Sequence, residues 1–360
     1  MSSIRRFGVY VNSEVAKFHL DQLNSNILNI DQDVTQFIGN TYTTRIAAFH
    51  VPFPENTDWL DQLSCVYELC EHVFVFCSEL HYHTVKQLIS IDLPKTSIFI
   101  SGFIDHTFQH AKIYHWMDWF HTTSEFYIRT KPNFLDRRLL PYTVKPKYFD
   151  ILLGNQRPHR DFVNNYVKEN NLIDKVTMTY VYYPHKSIRN NPEFILENDN
   201  IEYNPDKEYT HSVNMVKYHG VGITLSQIIP LDVYNQTAYT LVAETNSDNA
   251  FNFYTEKIVK PILSRRLFVV ISGKNYLKNL KSLGFKTFSN VIDESYDGVD
   301  DNVTRWSSAM DQVKWLSAQN QENILTEIKT VTEHNYQLVK EKNWYNEFTQ
   351  ELELQVRQFV

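Results

Sequence analysis

Between Glu244 and Lys257 the chain carries groups suited to holding an anion and a diol together. Glu244, Thr245 and Asn246 follow an apolar run, residues 239–243, that reads as a buried strand. Tyr254-Thr255-Glu256-Lys257 then opens a stretch of helical spacing that runs to about Ser264. In an open α/β sheet, ligands sit beyond the carboxyl ends of the strands, where unpaired N–H groups at a helix N-terminus attract anions. A phosphate fits there. Lys257 in a first helical turn is electrostatically misplaced, because cations favour the C-terminal end, and an anionic ligand would account for it. Glu256 is suited to accept both hydroxyls of a ribose. In the plain alternative, Thr255 is an N-cap and Glu256 and Lys257 are solvated surface.

Two alternating series of strand-like and helix-like segments would position these groups. In the first, residues 7–11, 46–51, 73–77 and 97–101 read as strands, and residues 13–28, 57–70 and 82–91 as helices. In the second, residues 149–153, 176–182, 239–243, 267–271 and 287–292 read as strands, and residues 161–170, 255–264 and 276–283 as helices, the last closed by Gly284. Such alternation is the signature of parallel sheets covered by helices, an α/β class. The proline-punctuated stretch 132–146 reads as the connection between domains, residues 184–207 as an exposed excursion, and everything from Asn302 onward as helical. The expected domains are therefore 1–147, 148–300 and a helical extension, 301–360.

The bulk properties agree with this outline. A chain of 360 residues is long enough for about two domains, each with its own core. Its 35 basic and 42 acidic residues leave a net charge of −7, so no global positive field draws it to nucleic acid or anionic lipid. With only 9 glycines there is little material for glycine-rich phosphate loops, and an anion site would need side chains. No apolar run approaches the roughly 18 residues of a membrane helix, and the start of the chain enters a strand without an apolar leader region. A soluble, cytoplasmic protein without membrane insertion is expected. Cys65, Cys70 and Cys77 read as reduced core thiols, and their spacing lacks the tight pair of a zinc site, so no metal is expected. Gly220-Val221-Gly222 is only half of a dinucleotide fingerprint and is discounted.

The run Glu244-Thr245-Asn246-Ser247, followed by Phe253-Tyr254-Thr255-Glu256-Lys257-Ile258, resembles the donor-site signature of the α1,3-fucosyltransferases. The continuation from Val259 to Val270 is similar to the helix and following strand of those enzymes and of related glycosyltransferases from bacteriophages and bacteria. The likeness covers about residues 149–297. It implies two Rossmann-like domains facing across a cleft, the GT-B arrangement, with C-terminal helices packing back across both. The nucleoside-diphosphate sugar, UDP- or GDP-linked, would be the donor, and no other cofactor is implied. Glu256 would hold the ribose and Lys257 a diphosphate oxygen, with Glu244, Asn246, Tyr254 and Thr255 lining the donor site. Arg157 or Arg160, after the strand 149–153, is similar in placement to the family's phosphate-binding arginine. A metal-independent transferase must neutralise its departing diphosphate with side chains and backbone dipoles.

Glycosyl transfer also needs a base for the acceptor hydroxyl. The resemblance implies an acidic residue after an N-terminal-domain strand. Asp105, beyond Gly102, is the first choice and His106 the second, although Gly102-Phe103-Ile104-Asp105 departs from the family's glycine-acidic adjacency. The acceptor would be a glycan. The alternatives are a phage DNA glycosyltransferase acting on hydroxymethylated pyrimidines and a non-catalytic sugar-nucleotide or glycan-binding module. A DNA acceptor would need a basic rim, for which Arg129, Lys131, Arg137, Arg138, Lys145 and Lys147 are the obvious supply.

Overall fold

The structure is a computed structural model that describes residues 7–21, 28–51, 57–181, 202–204 and 215–359. It divides into two compact units, neither of which is a single stretch of chain. Unit 1 gathers residues 1–121, 248–253 and 342–360, and unit 2 residues 122–247 and 254–341. Residues 122–147, expected with the N-terminal domain, fall in unit 2. There the Gln227 side-chain amide donates to the hydroxyls of Thr122 (2.8 Å) and Thr123 (3.2 Å), and the Ile229 N–H donates to the Tyr127 hydroxyl (2.7 Å).

Unit 1 is built on β1 (Phe7–Val11), β2 (Leu28–Asp31), β3 (Thr44–His50), β4 (His72–Cys77) and β5 (Thr96–Ile100). After β6 (Gly102–Ile104) comes β7 (Lys112–His115), which completes a six-stranded sheet of order β2-β1-β3-β4-β5-β7 with every pair parallel. The central strands are apolar on both faces, as a sheet covered on both sides requires. Phe7, Val9, Ile46, Ala48, Phe74, Phe76 and Phe99 point into one core, which Ala16 and Leu20 of α1 (Glu14–Asp21) help to fill. Alternate residues, Tyr10, Ala47, Phe49, Val73, Val75, Ile98 and Ile100, point into the other. That core is covered by α2 (Val34–Gly39), α3 (Asp58–Val66) and α4 (Tyr82–Ser90).

Helix α5 (Asp118–Glu125) follows, and then α6 (Phe134–Arg138) lies inside the stretch expected to be an irregular connection. Unit 2 continues with β8 (Lys147–Asn155), α7 (Pro158–Glu169), β9 (Val176–Val181), β10 (Met215–Tyr218), β11 (Val221–Thr224), α8 (Leu231–Gln236) and β12 (Thr237–Ala243). Strand β13 (Phe251–Phe253) belongs to unit 1, where it pairs antiparallel with β6. Gly102 is needed there, since a Cβ on it would lie 1.9 Å from the Asn252 carbonyl oxygen. Unit 2 resumes with α9 (Glu256–Leu263), β14 (Phe268–Ile271), α10 (Tyr276–Ser282), α11 (Asn302–Leu316) and α12 (Gln321–Glu341). Its larger sheet has four parallel strands in the order β14-β12-β8-β9, and β10 and β11 pair antiparallel apart from it. The last helix, α13 (Trp344–Arg357), returns to unit 1 and inserts Phe348, Leu352 and Val356 into the first of its cores.

Two expectations about elements are corrected. The helix expected over 13–28 ends at Asp21, and Leu28 begins a strand in register with Phe7. No strand forms over 287–292. Glu294 takes the Phe288 N–H (2.6 Å) and the Thr287 hydroxyl (2.7 Å), and the Val291 N–H closes a local turn onto Phe288. Gly220 and Gly222 belong to the β10–β11 hairpin, whose turn residues His219 and Gly220 have φ of 52° and 80°, the mirror-image turn that suits a two-residue connection. The excursion expected over 184–207 lies mainly outside the described residues.

Candidate functional site

In unit 2 the strand order changes direction between β8 and β12, and the crevice at such a point, outside the carboxyl ends, is where open α/β sheets bind ligands. Strand β8 leads there into the first turn of α7, with Arg157 as N-cap and Pro158 at the first helical position. Strand β12 leads into Glu244. The two ends are joined directly: the Glu244 carbonyl accepts from His159 Nε2 at 2.8 Å and from the Arg160 guanidinium at 3.2 Å. His159 Nδ1 accepts in turn from the Ser247 hydroxyl at 3.2 Å. A neutral imidazole, donating at Nε2 and accepting at Nδ1, satisfies both contacts. Burial, and then the charge of Arg160, push the His159 pKa down to about 3, with Arg157 and Lys257 adding to the shift. Burial and the charge of Arg157 likewise lower Arg160 to about 10. Arg157 is half-exposed, and Arg160 is buried.

Beneath the crevice lies a buried polar cluster centred on the Glu244 carboxylate. It accepts from the Thr255 hydroxyl (2.8 Å), the Tyr276 hydroxyl (2.8 Å) and the Thr245 N–H (3.1 Å). Burial raises the Glu244 pKa, against the opposing charge of Lys257 and the Tyr276 hydrogen bond. Tyr254 is fully buried and donates its hydroxyl to the Tyr276 carbonyl at 2.7 Å. Glu244, Tyr254 and Thr255 thus build the floor. Thr255 is also the N-cap of α9, its hydroxyl accepting from the Lys257 N–H at 3.2 Å.

Above this floor, Glu256 and Lys257 form an ion pair of 2.7 Å. Lys257 Nζ also lies 3.2 Å from the Thr245 hydroxyl and 3.4 Å from that of Thr255. Burial pushes the Glu256 carboxyl up, but Lys257 and Lys260 outweigh it and hold the pKa below the usual range. Lys260 is itself lowered by burial, is favoured by Glu256, and donates to the Ser226 carbonyl at 2.8 Å. The anion that the helix dipole argument asked for beside Lys257 is, in this structure, the neighbouring carboxylate.

Two residues that sequence reasoning missed frame the crevice from α11. Arg305 is buried and donates to the carbonyls of Ser272 (3.1 Å), Val299 (2.6 Å) and Ser247 (3.5 Å), which ties the loop after β12 to the loop after β14. In the first of these loops, the Asn246 carbonyl also accepts from the Ser272 hydroxyl at 3.2 Å. Trp306 lies with its ring centre 6.0 Å from that of His159 and 5.8 Å from that of Phe162. Only an arginine spaced among apolar helix positions hinted at this role, and such a pattern also fits a surface ion pair.

Asp105 and His106 belong to unit 1, so the structure groups them apart from the donor-site residues. Both are exposed. The Asp105 N–H extends the β6–β13 ladder by donating to the Ala250 carbonyl at 2.8 Å, and His106 meets the Phe108 ring edge-on at 4.8 Å. Unit 1 holds other titratable groups at the carboxyl ends of its central strands. His81 Nε2 lies 3.3 Å from Glu79, and His50 and Asp118 both sense the Glu79 charge. Burial raises the Asp118 pKa, with Glu79 adding to the shift against a hydrogen bond from Ser78.

Of the six basic residues considered for a DNA rim, Lys145 is buried, Lys147 Nζ donates to the Val176 carbonyl at 2.8 Å, and Arg129 pairs with Glu125 at 2.8 Å. Arg137 and Arg138 are exposed, Lys131 is half-exposed, and the Arg138 guanidinium sits 5.5 Å from the centre of the Phe134 ring. A shallow depression lined by Tyr142, Lys145, Tyr234, Arg265 and Arg266 lies at the amino-terminal end of the unit 2 strands, opposite the end that leads into Glu244 and Arg157. No group of three or more His, Cys, Asp or Glu able to hold a metal occurs among the described residues, and none of their helices is long and apolar enough to cross a membrane. No family model matches the sequence, and no curated protein is significantly similar to it.

Proposed function

We propose that the protein is a glycosyltransferase whose unit 2 binds a nucleoside-diphosphate sugar at the carboxyl ends of β8 and β12. The observation that carries the reading is that three cations stand where the strand order turns: Arg157 caps α7 after β8, Arg160 bonds the Glu244 carbonyl at the end of β12, and Lys257 lies in the first turn of α9 with Glu256 beside it. The cations and the start of α9 receive the diphosphate, and Glu256 receives the ribose hydroxyls. In the reaction the acceptor oxygen bonds to the anomeric carbon while the bond from that carbon to the diphosphate breaks. The electron pair leaves with the nucleoside diphosphate, whose charge the side-chain cations stabilise. The acceptor proton passes to a base.

In this reading the two units are the halves of a GT-B enzyme, and unit 1 supplies the acceptor side. Asp105 and His106 are base candidates from sequence, and Glu79 and Asp118 join them from the sheet edge. The pairing or burial of three of the six rim residues favours a glycan acceptor over DNA.

A thermal-shift series with UDP- and GDP-sugars, followed by product detection, tests the proposal. One donor is expected to raise the midpoint. Arg157→Ala and Lys257→Ala are each expected to weaken that donor about thirty-fold, roughly 2 kcal/mol. Equal donor affinity in variant and parent refutes the site. Stabilisation without turnover on any acceptor identifies a binding module instead.

A further inference from the structure

The Glu256–Lys257 pair has a consequence beyond donor binding as such. Lys257 Nζ is held by one carboxylate oxygen at 2.7 Å and lies near two threonine hydroxyls, at 3.2 and 3.4 Å, so its donors are directed inward. Glu256 is buried, with 6% of its side chain accessible, whereas Lys257 keeps 25%. A phosphate arriving alone must therefore take Lys257 from a carboxylate that would be left short of its closest partner. A diol arriving alone must displace a cation from Glu256. Breaking one side of a buried charge pair is strongly unfavourable, which makes either exchange costly by itself. A ligand that carries both groups replaces both halves of the pair in one step. Lys260, half-buried on the same helix, bonded to the Ser226 carbonyl at 2.8 Å and interacting with Glu256, keeps some positive charge beside the carboxylate during the exchange.

We propose that the Glu256–Lys257 ion pair is a latch that selects for ligands presenting an anionic diphosphate and vicinal hydroxyls together, and masks the site from either group alone. The inference rests on the donor-site reading for the identity of the selected ligand, a nucleoside diphosphate. The masking of Lys257 stands on the geometry alone.

Calorimetric titration of the full chain with inorganic pyrophosphate, UDP, GDP, uridine and guanosine tests it. In the parent, the better nucleoside diphosphate is expected to bind at least thirty-fold tighter than pyrophosphate, and both nucleosides to bind below detection. Glu256→Gln removes the competing charge. It is expected to tighten pyrophosphate about five-fold or more while weakening the nucleoside diphosphate ten-fold or more, opposite signs from one substitution. Thr245→Val loosens the hold on Lys257 without touching the carboxylate. It serves if Glu256→Gln does not fold, and is expected to tighten pyrophosphate two- to three-fold. Pyrophosphate affinity that falls or stays unchanged in these variants overturns the latch. A parent that binds neither UDP nor GDP overturns the donor-site reading, whatever pyrophosphate does in the variants, so the two failures are distinguishable.

Discussion

At the scale of single residues, the stretch 244–257 reads from sequence as a strand end, a loop and a capped helix start, as the structure has it, but the sequence does not separate floor from surface. Glu244 was expected to meet a ligand, yet it is completely buried and holds Thr255, Tyr276 and the Thr245 N–H in place. A scaffold role and a contact role differ in their consequences. If Glu244 is scaffold, Glu244→Ala should lower unfolding free energy by about 3 kcal/mol in denaturant titrations without added ligand, because several buried donors lose their acceptor at once. If it served only as a contact, stability without ligand would be unchanged. The identities of Thr255, Glu256 and Lys257 as cap and first turn were legible, since capping depends on side-chain type within three residues. His159 and Arg305 were not, because their roles depend on carbonyls brought close by distant parts of the chain: Glu244 lies 85 positions from His159, and Ser272 lies 33 from Arg305.

Among elements, the long apolar strands and their helices were readable because period and composition specify them locally. The elements that went unread are short or formed by pairing. Strand β2 is four residues long and is defined by its register with β1, and β6 and β13 are three residues each and exist only as partners. The expected strand near Ile292 had the right apolar character but lost its backbone donors to Glu294 and a local turn. Helix α13 shows how much an element can matter far from its neighbours in sequence. Leu352 is fully buried in the unit 1 core, and the Phe348 ring stacks on Trp116 at 4.1 Å. Leu352→Ala is expected to cost about 3 kcal/mol, measured as a lower urea midpoint with far-UV circular dichroism retained under native conditions. An unchanged midpoint would show that α13 adds little to that core.

For the molecule as a whole, the two units share a strand order, β2-β1-β3-β4 in one and β9-β8-β12-β14 in the other, and differ in which charges line the carboxyl ends. Stability should also depend on pH through histidines buried in the neutral form. Burial lowers His72 to about 4, and His121 and His159 to about 3, from an ordinary value of 6.5. Their folded pKa values lie below the unfolded value, so the unfolded chain binds more protons and stability is lost as pH falls below 6.5. At pH 5 each would contribute roughly 2 kcal/mol of loss. Urea midpoints should therefore drop steadily from pH 6.5 to 5, and a flat profile would contradict neutral burial. The dispersal of unit 1 along the chain, with β13 supplied near residue 252 and α13 after residue 343, bears on biosynthesis. Nascent chains usually complete their first domain while later ones are still being translated. Here the earliest-made sheet leaves the ribosome with one face covered only in part, by α1, and must wait for the codons of Phe348, Leu352 and Val356. During that interval it would be a natural client for chaperones.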